Sequence, residues 1–260
     1  MRYKLLIEYE GSRYSGWQIQ KDRATVQGKI VQAILDNFPK IRFELQGAGR
    51  TDRGVHALGQ AAHLEIPHNV EPFKLLLKLN DCLPKDINIL EASKAPANFH
   101  ARNNAVSRSY LYQIAKRRTA FGKSYSWWIK DELSIDKMKE TCSILEGTHN
   151  FDSFYEQDEK GISTTLKLEP IELIETDTLI VLRFQARYFL WKMVRRLTGV
   201  IAEVGRGKMQ FDDVRKCLTG NKQKPAELTA PPAGLFLEKV YYEDSQEHYV
   251  AEPAIFKAFR

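Results

Sequence analysis

The order in which two hydrophobic periods follow one another constrains this chain more than any single residue does. The opening "RYKLLIEYEG" alternates with a period of two, puts Tyr3, Leu5, Ile7 and Tyr9 on one face, and predicts a strand buried on one side. "TVQGKIVQAILDNF" then places Val26, Ile30, Ile34 and Phe38 at helical spacing, with Thr25 as N-cap and Pro39 as stop. "IRFELQ" predicts a strand, and "GQAAHLEIP" another with Ala62, Leu64 and Ile66 facing one way. "EPFKLLLKLNDCLP" predicts a helix with Pro72 near its start, and "INILEAS" a strand.

The order β-α-β-β-α-β then comes a second time. "AVSRSYLYQIAK" predicts a strand, and "SIDKMKETCSILEG" a helix capped by Ser134 and closed by Gly147. "PIELIETDTLIVLRF" predicts two strands around a turn at Glu175, Thr176 and Asp177. "RYFLWKMVRRLTGVIAEVG" predicts one long helix with Leu190, Val194, Leu197 and Ile201 on a stripe. A short helix "FDDVRKCLTG" follows, and "AGLFLEKVYY" closes the second half as a strand. The polar stretches 117–131 and 155–168 predict loops or insertions. The fold expected is α+β, with two ferredoxin-like, RRM-like β-α-β-β-α-β halves that form a continuous, mostly antiparallel sheet with the helices on one side. The junction falls near Arg102–Ala105, giving halves of residues 1–103 and 104–260.

Composition serves mainly to exclude. Hydrophobic residues at 43% and charged residues at 28% are those of a soluble globular chain, and no window approaches the ~20 apolar residues of a membrane span. The start lacks the long apolar core of a signal peptide. Cys82, Cys142 and Cys217 are far apart and odd in number, without metal-ligand or disulfide spacing, which predicts a reducing cytoplasm. A net charge of +6 favours a polyanionic partner.

One stretch stands apart from this pattern. "GAGRTDRGVH", from Gly47 to His56, carries three glycines, two arginines and one aspartate, with almost nothing apolar to bury. It lacks the third glycine of a dinucleotide fingerprint and the Lys-Ser/Thr of a P-loop. Taken alone it fits an ordinary glycine-rich connection in which Arg50 and Asp52 form a surface ion pair. It also fits a sheltered carboxylate that Arg50 keeps ionised and oriented, and such a group is a nucleophile or general base. No second carboxylate lies near, which argues against a two-carboxylate glycosidase. His56 and His63 read as hydrogen-bonded packing residues rather than metal ligands.

"GAGRTDRGVHALGQ" resembles the signature of the TruA family of tRNA pseudouridine synthases. "YEGSRYSGWQIQ", "TVQG", "LNDCLPKDI", "FHARNNAVSRSYLYQI", "EGTHNFDSF", "FLWKMVRRLTG", "VGRGK" and "TAPPAGLFLEKVYY" resemble further family motifs in the same order, over nearly the whole chain. The resemblance implies an isomerase that converts uridine to pseudouridine at positions 38, 39 or 40 of the tRNA anticodon arm, as a homodimer, with neither metal nor cofactor. It makes Asp52 the nucleophile, attacking C1′ of the ribose or C6 of the base, and Arg50 its partner. It makes Tyr110 the ring that stacks on the target uracil, and Arg195 an arginine near the catalytic aspartate. Arg196 reads as a surface or phosphate contact. Lys116, Arg117, Arg118, Arg206 and Lys208 are candidate phosphate contacts. The chain departs from the family at "TTLKLEP", where Leu166 and Lys167 stand at the place of an expected arginine, and at "QARYFLW", which lacks a common glycine. Same chemistry on other RNA uridines, or a catalytically silent tRNA-binding protein, are the rival readings.

Overall fold

The computed structural model describes residues 1–156, 161–219, 225–242 and 251–254. In chain order the first elements are β1 (Arg2–Tyr9), α1 (Val26–Asn37), β2 (Glu44–Gly47), β3 (His56–Glu65), α2 (Pro72–Cys82) and β4 (Ile87–Ala95). The rest are β5 (Ser107–Ala115), β6 (Trp127–Trp128), α3 (Ile135–Leu145), β7 (Gly147–Asn150), β8 (Thr165–Leu168), β9 (Glu172–Glu175), β10 (Leu179–Ala186), α4 (Met193–Gly205), α5 (Phe211–Leu218) and β11 (Leu235–Tyr241). Strand and helix mix in mostly antiparallel sheet, so the class is α+β. No helix among the described residues is long and apolar enough to cross a membrane. The chain forms two compact units, Met1–Val106 with Phe236–Gln246, and Ser107–Leu235 with Glu247–Arg260.

In the first unit, β1 shows the alternation expected of it: Tyr3, Leu5, Ile7 and Tyr9 are buried and the residues between are partly exposed. β1 pairs antiparallel with β3 on one side and β4 on the other. β2 pairs with the far end of β3, so the antiparallel order is β4-β1-β3-β2. Thr25 caps α1, its hydroxyl accepting from the Gly28 amide at 3.2 Å. Val26, Ile30 and Ile34 are buried, while Phe38 lies at the C-cap, past the end of the stripe. Pro72 opens α2, the Glu71 side chain caps it, and Leu75 and Leu79 face inward.

β3 departs from expectation in a way that shapes the site. It starts at His56, inside the glycine-rich stretch, and outruns β2, whose pairing ends at Gly47 opposite Ala62. The edge left open at His56 and Ala57 is taken by β11, which runs parallel to β3 through Phe236 and Leu237. The strand that the sequence places in the second half thus completes the sheet of the first unit.

In the second unit β5 and β10 pair antiparallel along their length, and β9 folds back onto β10 through the expected turn, where the Thr176 hydroxyl accepts from the Leu179 amide at 2.9 Å. Both polar stretches contain short strands: β6 beside β5, and β8 between β7 and β10. Four residues or fewer give no readable period.

The long helix is shorter than predicted. α4 starts at Met193, after Lys192 at φ 62 and without a side-chain cap. The stripe residues Leu190, Val194, Leu197 and Ile201 are nonetheless all buried. Glu156 stands at this helix start. Its amide donates to the Trp191 carbonyl at 3.1 Å, its carboxylate pairs with Arg196, and Lys192 Nζ lies 3.7 Å from it. A carboxylate at a helix N-terminus is stabilised by the unpaired amides and dipole there. Arg196, expected at the surface, is only 2% exposed. Its place on the inward side of α4 decides this, since the adjacent Leu197 and Val200 are wholly buried. Its Nε and Nη1 find no hydrogen-bond partner among the described residues.

Arg196 is buried but Glu156 is 38% exposed, so loss of Glu156 leaves a buried charge unpaired, whereas loss of Arg196 leaves a carboxylate that water can reach. Glu156→Ala is therefore expected to lower the unfolding free energy by about 3 kcal/mol, and Arg196→Met by well under half of that. The midpoints of urea unfolding at unchanged slope measure both. Equal losses would contradict the assignment.

Candidate active site

The loop that carries Asp52 spans residues 48–55, between β2 and the start of β3, and is pinned almost residue by residue. The Ala48 amide donates to the Ala61 carbonyl at 2.7 Å, and the Gly49 carbonyl accepts from buried Gln60 Nε2 at 2.9 Å. Thr51 is 7% exposed. Its hydroxyl shares a 2.7 Å hydrogen bond with the Tyr9 hydroxyl, and its carbonyl accepts from the Trp17 amide at 3.1 Å. Past Asp52, the Gly54 amide donates to the Tyr14 carbonyl at 3.2 Å, and the Val55 amide closes a turn onto the Asp52 carbonyl at 3.1 Å. Asp52 thus heads a turn with fixed main chain on both sides. It is half-buried, while Arg50 and Arg53 are exposed.

The segment 10–17 forms the bed of this loop and explains why "YEGSRYSGWQ" and "GRTD" occur together. A Cβ on Gly11 would lie 1.9 Å from the Val55 carbonyl oxygen. One on Gly16, at φ +90, would lie 2.3 Å from that of Thr51. Neither position tolerates a side chain. The Gly11 amide donates to His56 Nδ1 at 3.0 Å, and the His56 ring stacks on Phe236 at 4.7 Å. Tyr14 donates to Asp86 at 2.5 Å. Burial and this carboxylate push the Tyr14 hydroxyl well above its usual range. Burial works against the Asp86 charge, but the bonds from Tyr14 and Arg13 hold its carboxyl below its usual value. Trp17 is 1% exposed, and Gln27 of "TVQG" binds its carbonyl through its own amide at 3.0 Å.

The other candidates lie in the second unit. Tyr110 sits half-buried on β5, edge-to-face with Phe189 at 5.1 Å and 85°. Tyr112, on the same face, is wholly buried and donates to the Pro231 carbonyl at 2.8 Å, a core role. Arg195 is half-buried in the first turn of α4. Its Nε donates to the Ala230 carbonyl at 2.7 Å, and the Ala230 amide returns a bond to the Arg195 carbonyl at 3.1 Å. "TAPP" and "MVRR" are thereby locked together.

The basic clusters are less bare than their sequence implies. Lys116 binds Glu175 at 2.6 Å, and Lys208 binds Asp131 at 3.0 Å beside Arg206, which also pairs with Glu203. Lys167 holds Glu169 at 3.0 Å. Arg117 and Arg118 are exposed, Arg118 lying over the Trp128 ring at 5.9 Å. His63 is buried, accepts from the Ala101 amide at 3.1 Å and packs on His100 at 4.8 Å, and burial lowers its pKa. Both histidines are packing residues. Sequence reading missed Tyr9, Gly11, Gly16 and Gln60 as supports of the loop. The visible signal was polar residues at buried strand positions: His56, Gln60 and His63 in β3 are all at most 1% exposed.

With this geometry in view, the comparisons with known proteins are specific. The family described as tRNA pseudouridine synthase matches residues 5–104 and 141–243. "tRNA pseudouridine synthase A 1" of Protochlamydia amoebophila is 33% identical over 247 residues, 93% of this chain and 96% of that protein. "tRNA pseudouridine synthase A" of Rhizobium meliloti is 36% identical over 246 residues, covering 93% and 99%. That of Rhodopseudomonas palustris is 37% identical over 248 residues, with the same coverage. Matches of this length and identity define the class as RNA-modifying isomerases. The chain belongs to the tRNA pseudouridine synthase family, and its reaction is the isomerisation of uridine to pseudouridine in tRNA.

The hydroxyl bond from Tyr9 to Thr51 holds the residue before Asp52. Tyr9→Phe is expected to cost about 1 kcal/mol of stability and, on the reading proposed below in which Asp52 reacts, to lower kcat on tRNA by about tenfold or more, because small misplacement of a reacting group is costly. Thermal melting and steady-state kinetics on one preparation check both. A kcat at the native value would show that this bond does not position the loop.

Proposed function

We propose that this enzyme modifies uridines 38, 39 and/or 40 of the anticodon stem-loop with Asp52 as its nucleophile. The observation that carries this reading is the half-buried Asp52 at the head of a turn whose main chain is tied on both sides. A carboxylate fixed in this way loses little freedom on reaching the transition state. Asp52 attacks C1′ of the ribose and the N1–C1′ bond breaks, leaving its electron pair on the base. C2′ then gives up a proton and the Asp52–C1′ bond breaks, leaving a glycal and a free carboxylate. The turned uracil adds through C5 to C1′ as C2′ regains its proton, after which C5 loses its hydrogen as a proton and N1 takes one up. The change is an isomerisation without redox balance to meet, so no cofactor enters.

The target must leave its stack first, at a cost of a few kcal/mol. Tyr110 offsets this by stacking on the uracil, a contact of about 1–3 kcal/mol. Arg50 pairs with Asp52 and fills the space that the base vacates. Arg195, held by Ala230, supports the aspartate. Arg117 and Arg118 contact phosphates, and Lys116 does so in exchange for Glu175. Arg196 drops out as a phosphate contact because it is buried. The enzyme works in the cytoplasm as a homodimer. A second reading keeps the chemistry but changes the address. It is favoured by Lys167, which lacks the forked donors of arginine and already holds Glu169.

Tritium at uridine C5 of an unmodified tRNA transcript reports the reaction directly. Release by the native protein, and none by Asp52→Ala or Asp52→Asn, is the expected result, with the product mapped to positions 38–40. Release by all three proteins would remove Asp52 as nucleophile. Light scattering on a sizing column is expected to give twice the chain mass of 30.0 kDa at micromolar concentration; a mass near that of one chain would overturn the dimer.

A further inference from the structure

Gly49 is a glycine that the fold itself does not require. Its φ lies outside the left-handed region, and a Cβ built on it meets nothing within 4 Å. Gly11 and Gly16 differ, since both are excluded from carrying a side chain by main chain at close range. At a position of this kind, alanine stabilises a protein through its less flexible unfolded chain. Glycine at Gly49 therefore serves something outside the chain. Gly49 lines a pocket together with Trp17, Gln18, Gln46, Arg50 and Arg102. Its carbonyl is held by buried Gln60, so the pocket wall is rigid.

We propose that the mouth of this small pocket receives the phosphate of the nucleotide adjacent to the target uridine, with its ribose lying over Gly49. The proposal rests on tRNA being the substrate. The Arg102 guanidinium suits a phosphate, because it offers five N–H donors and pairs with phosphate oxygens in a fork. An intramolecular partner of Arg102 leaves donors to spare. The Gln18 and Gln46 amides donate to and accept from sugar hydroxyls whatever base is attached. The missing side chain at Gly49 lets the sugar ring come down to the main chain. Gly49 lies three residues before Asp52, so their Cα atoms are at most about 11 Å apart. That is a reach of neighbouring nucleotides. The pocket grips the backbone beside the target and leaves the base unread.

Gly49→Ala and Gly49→Val test this on an anticodon stem-loop RNA that the native enzyme converts. Both variants should melt at or above the native temperature, while KM rises about tenfold for alanine and further for valine, with kcat little changed, the signature of lost uniform binding. An RNA with a neutral methylphosphonate at the linkage beside the target uridine supplies the second arm. It should lower kcat/KM of the native enzyme by the same factor as Arg102→Ala, and should lower that of Arg102→Ala no further. Native KM in both glycine variants, a KM rise that tracks a falling melting temperature, or losses that multiply in the second arm would each overturn the proposal. Failure of the native enzyme on every RNA would instead count against the proposed target.

Discussion

The approach of two stretches of main chain governs the first unit. Residues 10–17 lie against residues 51–55 at a separation that admits no side chain at Gly11 or Gly16. Packing this close leaves no room for water, so each polar group in the contact must find a protein partner. Trp17, Tyr14, Tyr9 and His56 supply those partners. The loop is irregular in conformation but not loose. Ala48, Gly49, Thr51, Gly54 and Val55 each hold a hydrogen bond, and half-buried Asp52 sits among them.

The charge distribution follows a different logic. Several cations that could meet a phosphate backbone already hold a carboxylate: exposed Lys116, Lys208 and Lys167, and half-buried Arg206. Exposed pairs of this sort contribute between zero and about 1 kcal/mol. A phosphate that displaces the carboxylate therefore meets little resistance, and the freed acid adds local repulsion. Affinity built this way is modest and strongly dependent on salt. Such a surface lets an enzyme release its product, since the same carboxylates are on hand to take the cations back.

Much of this was legible in the sequence, for reasons that differ by element. β1 has a clear period and α1, α2 and α3 have side-chain caps, and they fall where pattern places them. Asp52 stood out because a turn does not need so much polar and glycine content. What pattern could not show was where an element begins when tertiary contacts decide it. β3 reaches back to His56 because β11 covers its edge, and α4 waits until Met193 because Lys192 takes up the turn after the chain is tied at Trp191. Arg196 was misjudged because charge was read as exposure, although its position on the helix lies among buried neighbours. Tyr9 was read as core, and it is; its hydroxyl has a second task that no periodicity records.

The completion of β3 by β11 has a consequence for how the protein comes into being. The ribosome delivers the Asp52 loop early, along with its bed and most of its sheet. The strand that closes the sheet beside His56 is delivered only after most of the second unit, Ser107–Leu235, has been made. Until then the edge from which the loop springs stays unpaired, a surface that other strands can join. The order of synthesis thus acts as a timer. The nascent chain holds Asp52 long before the strand that closes its frame has been made.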